Sequence, residues 1–379
     1  MERLLTRILK NFPFPPRIFI YGGYGYKNIG DEAILAGLLQ IIRRCFKDAK
    51  ITVVSGDPKE TRMMHNVNSI SPLNLNILKE IIKSNMIILG GGGIVSRVIS
   101  YGYKYKIFCV EGKLIHIIAI ISKLFNKPVL YYGISATSIP DPLTKFFAKL
   151  GMQFADIIVT RDYLSKKIIE KFLCIKKKII VEPDLAFDME VNDNIEIQDL
   201  LNKENIDPNK FLIAITLRLV ENKETNKIIL ETITYVIKHL FDVFDEKIEI
   251  IFIPMSRRTS KLGEIGKNDM VVLNELKKRL KNNYKIKFIK GQYHPMYIKQ
   301  LIDRCDFLIG MRLHSVIFAY LTNTPCIAIE YDEKVTEFLR FVNNPSYIMG
   351  LKPEMLRNRE YVTRKILNFL RSKIKSKVM

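Results

Sequence analysis

A chain of 379 residues, 48% hydrophobic and 26% charged, is long enough to bury a full core and favours two domains of about 150 to 200 residues each. Its 60 Lys and Arg residues against 39 Asp and Glu residues give a net charge of +21, which attracts anionic partners such as nucleic acids, anionic lipids and phosphorylated small molecules. Five cysteines without a CxxC pair argue against a zinc site and a disulfide framework, so we expect a reducing, cytoplasmic setting and no metal site.

Two segments bear on a membrane location. The N-terminal residues 1–12 place apolar side chains on one helical face, but Arg3, Arg7 and Lys10 interrupt any apolar core of a secretion signal. We expect this helix to pack on its own domain. The most apolar internal segment, 114–121, is far too short to span a bilayer, so any membrane contact is expected to be peripheral. The excess of cations could equally reflect a composition rich in Lys, Ile and Asn.

Short apolar segments that end in glycine or a polar residue recur through the first half of the chain, and each is typical of a buried strand. They are residues 17–21, 50–56, 86–93, 128–135 and 156–162. Helices are predicted near residues 31–46, 112–125, 141–151 and 162–173. This alternation predicts a parallel sheet with helices on both faces, in an N-terminal Rossmann-like domain over residues 1–187.

Residues 188–210 are acidic, rich in asparagine and poor in apolar runs, so we predict a linker there. A second Rossmann-like α/β domain follows over residues 211–353. Its predicted strands are residues 211–218, 247–256, 284–291, 305–310 and 325–331, and its helices lie near 224–241, 269–281, after Pro295 and after Arg312. Two α/β domains that face each other across a cleft are the simplest assembly. A basic helix over residues 354–379 is expected to pack back on the N-terminal domain.

The first domain offers its candidate site residues in two glycine turns. The turn at 22–35 follows the first strand, and its glycines let the backbone approach a ligand. Asp31 suits a hydroxyl group, either as a hydrogen-bond acceptor or as a base, although capping of the helix is the alternative. The second turn, 90–93, is predicted to face a ligand as well. Arg161 ends a strand and either points into the cleft or forms an Arg–Asp ion pair. The remaining candidates are Gly25, Asn28, Gly91 and Gly92.

The second domain offers cations at the ends of its strands. Arg218 ends the apolar run from 211, and Arg312 follows the strand that ends at Gly310. A guanidinium at such a position is costly unless it meets an anion, so the two arginines could hold a carboxylate and a phosphate. His314, at the start of the next helix, is suited to proton transfer near neutral pH, with a structural histidine as the alternative. Leu313, Glu330 and Lys334 lie at the same predicted edge.

Six motifs occur in a fixed order along the chain. They are GYGYKNIGDEAIL (23–35), GGGG (90–93), FADIIVTRD (154–162), EPDLAF (182–187), AITLR (214–218) and GMRLHSVIFA (310–319), followed by PCIAIEYDEKV. Together they resemble the polysaccharide pyruvyl transferases, nearest to the CsaB type, over residues 17–340. The resemblance implies two Rossmann-like domains that face a cleft, as in the GT-B glycosyltransferases.

The resemblance also implies a reaction. Such enzymes move a pyruvyl group from phosphoenolpyruvate to two hydroxyls of a sugar and form a ketal, and we expect no cofactor besides this substrate. In CsaB-like members the acceptor is a lipid-linked cell-wall disaccharide that contains N-acetylmannosamine. His314 is then the expected acid and Asp31 the expected base. Donor binding is expected from Arg218, Arg312, Leu313, Glu330 and Lys334, and acceptor binding from Gly25, Asn28, Gly91, Gly92 and Arg161.

Three functions compete at this stage. The first is a cytoplasmic pyruvyl transferase that acts on a cell-envelope saccharide, with a basic surface that helps it reach the anionic inner face of the membrane. The second keeps the fold and changes the donor, as in a GT-B glycosyltransferase that uses a nucleotide sugar. The third is a basic nucleic-acid-binding protein. Because the sequence contains no helix-turn-helix, RNP or zinc-finger pattern, we expect no nucleic-acid partner.

Overall fold

The computed structural model describes residues 2–9, 12–95, 110–137, 141–190, 197–258, 268–280 and 284–374. Its internal contacts divide the chain into two units, Met1–Glu190 and Val191–Met379. The division falls within the predicted linker 188–210. Residues 191–196 of that linker lie outside the described ranges, and residues 197–203 form a helix rather than a flexible connection.

The first unit alternates strands and helices along the chain. Its strands are β1 (Arg17–Tyr21), β2 (Lys50–Val54), β3 (Asn68–Ile70), β4 (Met86–Leu89), β5 (Gly92–Val95), β6 (Val129–Ala136), β7 (Ile157–Thr160) and β8 (Ile179–Val181). Its helices are α1 (Glu2–Leu9), α2 (Ile29–Cys45), α3 (Pro58–His65), α4 (Ile77–Lys83), α5 (Val110–Leu124), α6 (Pro142–Phe154) and α7 (Tyr163–Phe172). A short 3₁₀ helix spans Leu185–Asp188.

The strands of the first unit form one parallel sheet. Their order is β3-β2-β1-β4-β6-β7-β8, with β5 paired to β6. β1 therefore has β2 on one side and β4 on the other, with Ile18 opposite Met86 and Tyr21 opposite Leu89. The chain changes direction across the sheet between β1 and β4, so the topological switch point lies there.

Helices cover both faces of the first sheet, which explains why its central strands read as unbroken apolar runs. All four residues of β4 are buried. One face of the sheet packs against α2 and α1. Leu5 and Leu9 of α1 are buried in the core between this face and α2. The opposite core contains Ile81 of α4, Ile118 of α5 and Met152 of α6. The expectation that the N-terminal helix packs on its own domain is confirmed by this arrangement.

The second unit repeats the alternation. Its strands are β9 (Phe211–Thr216), β10 (Ile248–Phe252), β11 (Ile286–Phe288), β12 (Phe307–Gly310), β13 (Cys326–Ile329) and β14 (Ile348–Leu351). Its helices are α8 (Ile197–Lys203), α9 (Lys223–Phe244), α10 (Asp269–Leu280), α11 (Pro295–Arg304), α12 (Leu313–Leu321), α13 (Glu333–Phe341) and α14 (Arg359–Ile374). Among the helices that the structure describes, none combines the length and the apolar character needed to cross a membrane.

The second sheet is also parallel, in the order β11-β10-β9-β12-β13-β14, and its switch point lies between β9 and β12. The last helix, α14, packs against α9 and buries Val362, Ile366 and Leu370 in the core of the second unit. The expectation that residues 354–379 pack back on the N-terminal domain stays a prediction. Residues 375–379 of the predicted helix lie outside the described residues.

Candidate functional site

The turns that the sequence marked out follow the central strands of each sheet. In the first unit, the turn from Gly22 follows β1 and the turn from Gly90 follows the adjacent β4. In the second unit, Arg218 lies beyond β9 and Arg312 lies beyond the adjacent β12. Ligands of open parallel sheets bind at the carboxyl ends of the strands beside the switch point. Each unit therefore presents a candidate site at its own switch point.

Asp31 lies in the first turn of α2, beside both glycine turns. Asn28 is the N-cap of this helix, since its Oδ1 accepts from the Gly30 N–H at 3.1 Å, and its Nδ2 donates to Asp31 Oδ2 at 2.6 Å. A Cβ atom built on Gly92 would lie 3.1 Å from Asp31 Oδ1, and one on Gly23 would lie 3.6 Å from Oδ2. The helix is thus capped by Asn28 rather than by Asp31, and the carboxylate stands between the two turns.

Gly25 and Gly91 are required by packing. Gly25 has a φ of +75°, and a Cβ there would lie 1.9 Å from Ser55 Oγ. A Cβ on Gly91 would lie 2.3 Å from Ile34 Cγ2 of α2. Both glycines are buried. The backbone at these glycines therefore lies close to other residues of the protein, as it does to Ser55 and Ile34. Contact of these glycines with an acceptor stays a prediction.

Tyr24 fastens the second glycine turn to the first, and sequence reasoning did not single it out. Its hydroxyl donates to the Gly90 carbonyl and accepts from the Gly91 N–H at 3.0 Å. The side chain is completely buried, and this burial raises the pKa of Tyr24 well above its ordinary value, so the hydroxyl remains a donor. The sequence signal that could have identified Tyr24 is its position between glycines, because an aromatic side chain in a tight turn packs inward.

Glu32 and His65 stabilise the first glycine turn through buried hydrogen bonds. Glu32 Oε1 accepts from the Gly25 N–H at 2.7 Å, and Oε2 lies 2.9 Å from His65 Nε2. The two side chains are 9% and 1% exposed, respectively. A buried charge of this kind is tolerated because it is paired and hydrogen-bonded. His65 and Glu32 thus position the first turn.

Arg161 forms the Arg–Asp ion pair that the sequence left open as an alternative. Its Nη1 donates to Asp184 Oδ2 at 2.9 Å, and the two side chains are only 7% and 6% exposed. Its Nε also lies 3.7 Å from Asp162 Oδ2. Asp184 accepts from the Ala186 N–H at 3.0 Å as well and so caps the 3₁₀ helix that follows. Contact of Arg161 with an acceptor stays a prediction.

Arg218 and Arg312 extend from equivalent positions of neighbouring strands. Thr216 of β9 pairs with Gly310 of β12, and each arginine comes two residues later. Arg218 Nη1 donates to the Tyr331 hydroxyl at 3.0 Å, and its guanidinium lies 5.0 Å from the centroid of that ring. Tyr331, which the sequence analysis missed, thus supports the first arginine from the end of β13. The structure brings the two predicted arginines to one edge of one sheet.

Arg312 is fixed by a buried carboxylate that the sequence analysis also missed. Its Nε lies 3.0 and 3.1 Å from the two oxygens of Asp269, and Nη2 donates to the same carboxylate. Asp269 is fully buried and also accepts from the Ser256 N–H at 2.9 Å. Burial raises the pKa of Asp269, while Arg312, the Ser256 amide and Arg218 act in the opposite direction. The bidentate contact fixes the plane of the Arg312 guanidinium.

His314 and Leu313 lie in the first turn of α12, directly after Arg312. Arg312 is the N-cap residue, and its side chain forms no capping hydrogen bond. The helix is tied to the end of β9, because Ser315 Oγ lies 2.7 Å from Thr216 Oγ1. A helix N-terminus attracts an anion through its N–H groups and its dipole. Arg218, Arg312, a helix N-terminus and His314 therefore belong to segments that end or begin at this edge.

Glu330 and Lys334 follow β13, one strand further along the same edge. Glu330 Oε2 accepts from the Thr336 hydroxyl at 2.8 Å, and a Cβ on Gly350 would lie 2.4 Å from Glu330 Oε1. The carboxylate is thus engaged with α13 and β14. Lys334 is half-buried in the first turn of α13, where its N–H donates to Asp332 Oδ1 at 3.0 Å. A donor contact by either side chain stays a prediction.

The chain matches a known protein family. A family model described as "Polysaccharide pyruvyl transferase" covers residues 28–333. This span includes Asn28 and Asp31 of the first unit and Arg218, Arg312 and His314 of the second.

Comparison with solved structures supports the fold. A UDP-GlcNAc 2-epimerase from Methanocaldococcus jannaschii is 16% identical, with a TM-score of 0.57 over 95% of this chain and 93% of that chain. A glycosyltransferase from Rickettsia africae is 13% identical, with a TM-score of 0.54 over 95% and 92%. The ADP-heptose lps heptosyltransferase II of E. coli is 12% identical, with a TM-score of 0.50 over 94% and 99%. At these identities the similarity concerns the fold, and it confirms the predicted pair of Rossmann-like, GT-B-like domains.

Proposed function

We propose a donor and an acceptor for this chain, which belongs to the polysaccharide pyruvyl transferase family because the family model matches residues 28–333. Membership makes the chain a transferase enzyme. The proposed donor is phosphoenolpyruvate. The proposed acceptor is a pair of hydroxyls on a cell-envelope saccharide, lipid-linked and containing N-acetylmannosamine, so that the product is a cyclic pyruvyl ketal.

The arrangement of Arg218 and Arg312 carries the proposal. The two guanidinium groups lie at the ends of adjacent strands, beside the N-terminus of α12. Phosphoenolpyruvate has a carboxylate and a phosphate on one small carbon skeleton, and planar guanidinium groups match both of these groups. Asp269 fixes the plane of Arg312, and Tyr331 supports Arg218, so both forks are oriented before a ligand arrives.

The reaction needs one acid at the donor, and His314 fits this role. A proton from the imidazolium adds to the methylene carbon, which becomes the methyl group, and the central carbon becomes electrophilic. The first acceptor hydroxyl attacks this carbon and loses its proton. Phosphate then leaves with the electrons of its C–O bond, the second hydroxyl attacks, and its proton departs. Of the two hydroxyl protons released, one replaces the proton that His314 gave to the methyl group and the other goes to the departing phosphate, so the reaction balances without a redox cofactor.

Asp31 is the proposed base for the first acceptor hydroxyl. Its carboxylate is positioned by the Asn28 side chain and lies between two turns whose backbones are held by Tyr24 and Glu32. A carboxylate with fixed neighbours can accept a hydroxyl proton as the oxygen attacks. Asn28, Gly25, Gly91 and Gly92 are proposed to border the acceptor, with Gly92 placed directly beside Asp31.

A direct experiment tests the donor, the acceptor class and the residues together. The purified chain is incubated with phosphoenolpyruvate and a panel of lipid-linked and nitrophenyl sugars, while phosphate release and the product mass are measured. In D₂O, the methyl group of the product should contain one deuterium. Asp31→Asn should retain binding of phosphoenolpyruvate and lose transfer. Arg218→Gln should weaken donor binding, whereas Arg357→Gln, an exposed arginine of the same unit, should behave as the unmodified chain.

One observation favours a second candidate. Structures of similar fold include a glycosyltransferase and a heptosyltransferase, so a nucleotide-sugar donor is the alternative. Thermal shift measurements separate the two donors. Stabilisation by phosphoenolpyruvate that is lost in Arg218→Gln supports pyruvyl transfer. Stabilisation by a nucleoside diphosphate, together with indifference to phosphoenolpyruvate, would replace it with glycosyl transfer.

A further inference from the structure

Two helices of the first unit expose apolar side chains on the side that faces away from the sheet. α4 and α6 pack on the same face of the first sheet, where Ile81, Ala148 and Met152 share one core. Their outer sides carry large apolar residues whose exposed fractions lie between 44% and 99%. On and just before α4 these are Leu75, Leu78 and Ile82, and on α6 they are Leu143, Phe146 and Phe154.

The spacing of these residues produces a stripe on each helix. Leu75, Leu78 and Ile82 follow one another at three and four positions, and Leu143 and Phe146 are three positions apart. A surface helix normally has one apolar stripe, which meets the core, and a polar stripe that meets water. α4 and α6 have an apolar stripe on each side. Exposed apolar stripes on two helices of one sheet face mark an interaction site.

Lysines flank both stripes. Lys79 and Lys83 lie beside the stripe of α4, and Lys145 and Lys149 lie beside the stripe of α6; all four are exposed. None of these lysines forms an ion pair with any residue that the structure describes. An apolar stripe bordered by cations is typical of helices that lie in the plane of a membrane surface, because the apolar groups enter the acyl boundary while the cations meet anionic headgroups.

A basic cavity lies at the end of α4. Lys83 lines a cavity of about 500 Å³ together with Arg17 and Lys50, at the amino ends of β1 and β2, and with Glu80 as a carboxylate neighbour. Neither Arg17 nor Lys50 forms an ion pair within the described part of the chain. This cavity extends the cationic border of the α4 stripe and offers room for a phosphate headgroup.

We propose that this outer face, defined by the two apolar stripes and their four lysines, docks on an anionic lipid bilayer. The charge favours a bilayer over a second copy of the chain. In a two-fold contact the same face meets itself, so the lysines of both copies would be brought into one interface, whereas anionic headgroups neutralise them. The inference rests on the proposed function in one respect, since a lipid-linked acceptor would itself reside in such a bilayer.

Vesicle sedimentation tests the docking face. We expect the unmodified chain to bind vesicles of phosphatidylcholine mixed with phosphatidylglycerol, to bind phosphatidylcholine alone weakly, and to be released by salt. Leu78→Gln combined with Phe146→Gln should lower the partition coefficient on anionic vesicles by about tenfold or more, because burying one such side chain shifts an equilibrium by at least this factor. Lys79→Gln combined with Lys145→Gln should reduce binding and its salt dependence.

Matched controls keep the test independent of folding and of the proposed reaction. Val243 and Phe341 are comparably exposed in the second unit, at 44% and 42%, so Val243→Gln combined with Phe341→Gln should not change vesicle binding. All variants should retain phosphate release with a soluble acceptor. If the chain does not bind anionic vesicles, or if the Leu78 and Phe146 substitutions leave binding unchanged, docking is disproved even when the reaction is confirmed. If these substitutions instead convert a dimer to a monomer in sedimentation velocity, the face is a self-association surface and the proposal is overturned.

Discussion

The two units have the same sheet order around their switch points but very different side chains at the edge where ligands bind. In the first unit, glycine turns, the Asn28 amide and the Asp31 carboxylate border that edge. Its cation, Arg161, is buried and neutralised by Asp184. In the second unit, Arg218, Arg312 and His314 stand beside a helix N-terminus. The sheet topology therefore determines the position of the candidate site in each unit, and the charges of the side chains there determine which kind of ligand the site suits.

The outer surfaces of the units differ as well. In the second unit, α14 lies over the core and buries Val362 and Ile366, and the exposed large apolar residues are spread over separate elements. In the first unit, such residues form stripes on α4 and α6. Scattered exposed apolar residues are normal for a soluble protein, whereas a contiguous stripe calls for a partner.

The largest expected effect distinguishes a structural arginine from a ligand-binding one. Arg161→Met should destabilise the protein by about 3–5 kcal/mol, because it leaves the Asp184 carboxylate buried without its partner. Arg218→Met should cost about 1 kcal/mol, since Arg218 is half-buried and gives up a cation–π contact with Tyr331. Urea unfolding measures both values. Equal losses of stability would show that Arg161 and Arg218 contribute equally to folding and that the two edges do not differ in the role of their arginines.

The second-largest expected effect tests whether the Arg312 guanidinium of the second unit binds the donor. Arg312→Lys should lower kcat/KM for phosphoenolpyruvate by about a hundredfold, equivalent to about 2.7 kcal/mol, because a lysine keeps the charge and loses the planar fork. Steady-state phosphate release measures this change. Arg357→Lys, at an exposed arginine of the same unit, is the matched control and should leave kcat/KM unchanged. An unchanged value in Arg312→Lys would remove Arg312 from donor binding.

A smaller effect tests the backbone turns of the first unit. Tyr24→Phe should destabilise the protein by about 1–3 kcal/mol, since the buried Gly91 N–H loses its acceptor and the Gly90 carbonyl loses its donor. It should also raise the KM for the acceptor more than the KM for the donor. Tyr163→Phe is the control, because Tyr163 is 68% exposed on the same unit. A rise confined to the donor KM would contradict the assignment of these turns to the acceptor.

Local sequence patterns predicted the central strands well. β1 matches its predicted bounds, and β4, β9 and β12 lie within theirs, because strands buried on both faces leave apolar runs that end abruptly. The region from residue 57 to residue 83 was not predicted. There β3 has only three residues, and α4 exposes Leu78 and Ile82 while it buries Ile81, so its apolar residues follow no single periodicity.

The candidate site could be predicted only as far as local position allows. Arg218 and Arg312 were found because a charged residue after an apolar strand is visible in the sequence. Asp269 was not, because it lies 43 residues from Arg312 and looks like an ordinary residue at a helix start. The ion pair of Arg161 was left open, but Asp184, 23 residues away, was not identified as a partner. Long-range partners depend on which elements the fold brings together, and local patterns contain no information on that.

The smallest expected effect concerns the helix that carries one stripe of the outer face. Asp141 is the N-cap of α6, where Oδ2 accepts from the Thr144 N–H at 3.0 Å and from the Thr144 hydroxyl. The hydrogen bond from the Thr144 hydroxyl is the main cause that lowers the pKa of Asp141, with Lys113 nearby at 3.4 Å as a further cause. The folded carboxyl therefore holds its proton less tightly than the unfolded one.

This difference gives a pH dependence with a definite sign. Just below the ordinary carboxyl pKa of about 4, the unfolded chain binds more protons than the folded chain. The contribution of Asp141 to stability is therefore present above that pKa and is lost as the pH falls through the lower pKa of the folded state. Asp141→Asn keeps a good cap and does not titrate. We expect it to cost less than about 1 kcal/mol at pH 6, because the side chain is nearly half exposed, and to cost nothing at low pH. Urea unfolding at both pH values measures the difference, and a cost that grows on acidification would show that the carboxylate is not stabilised in the folded helix.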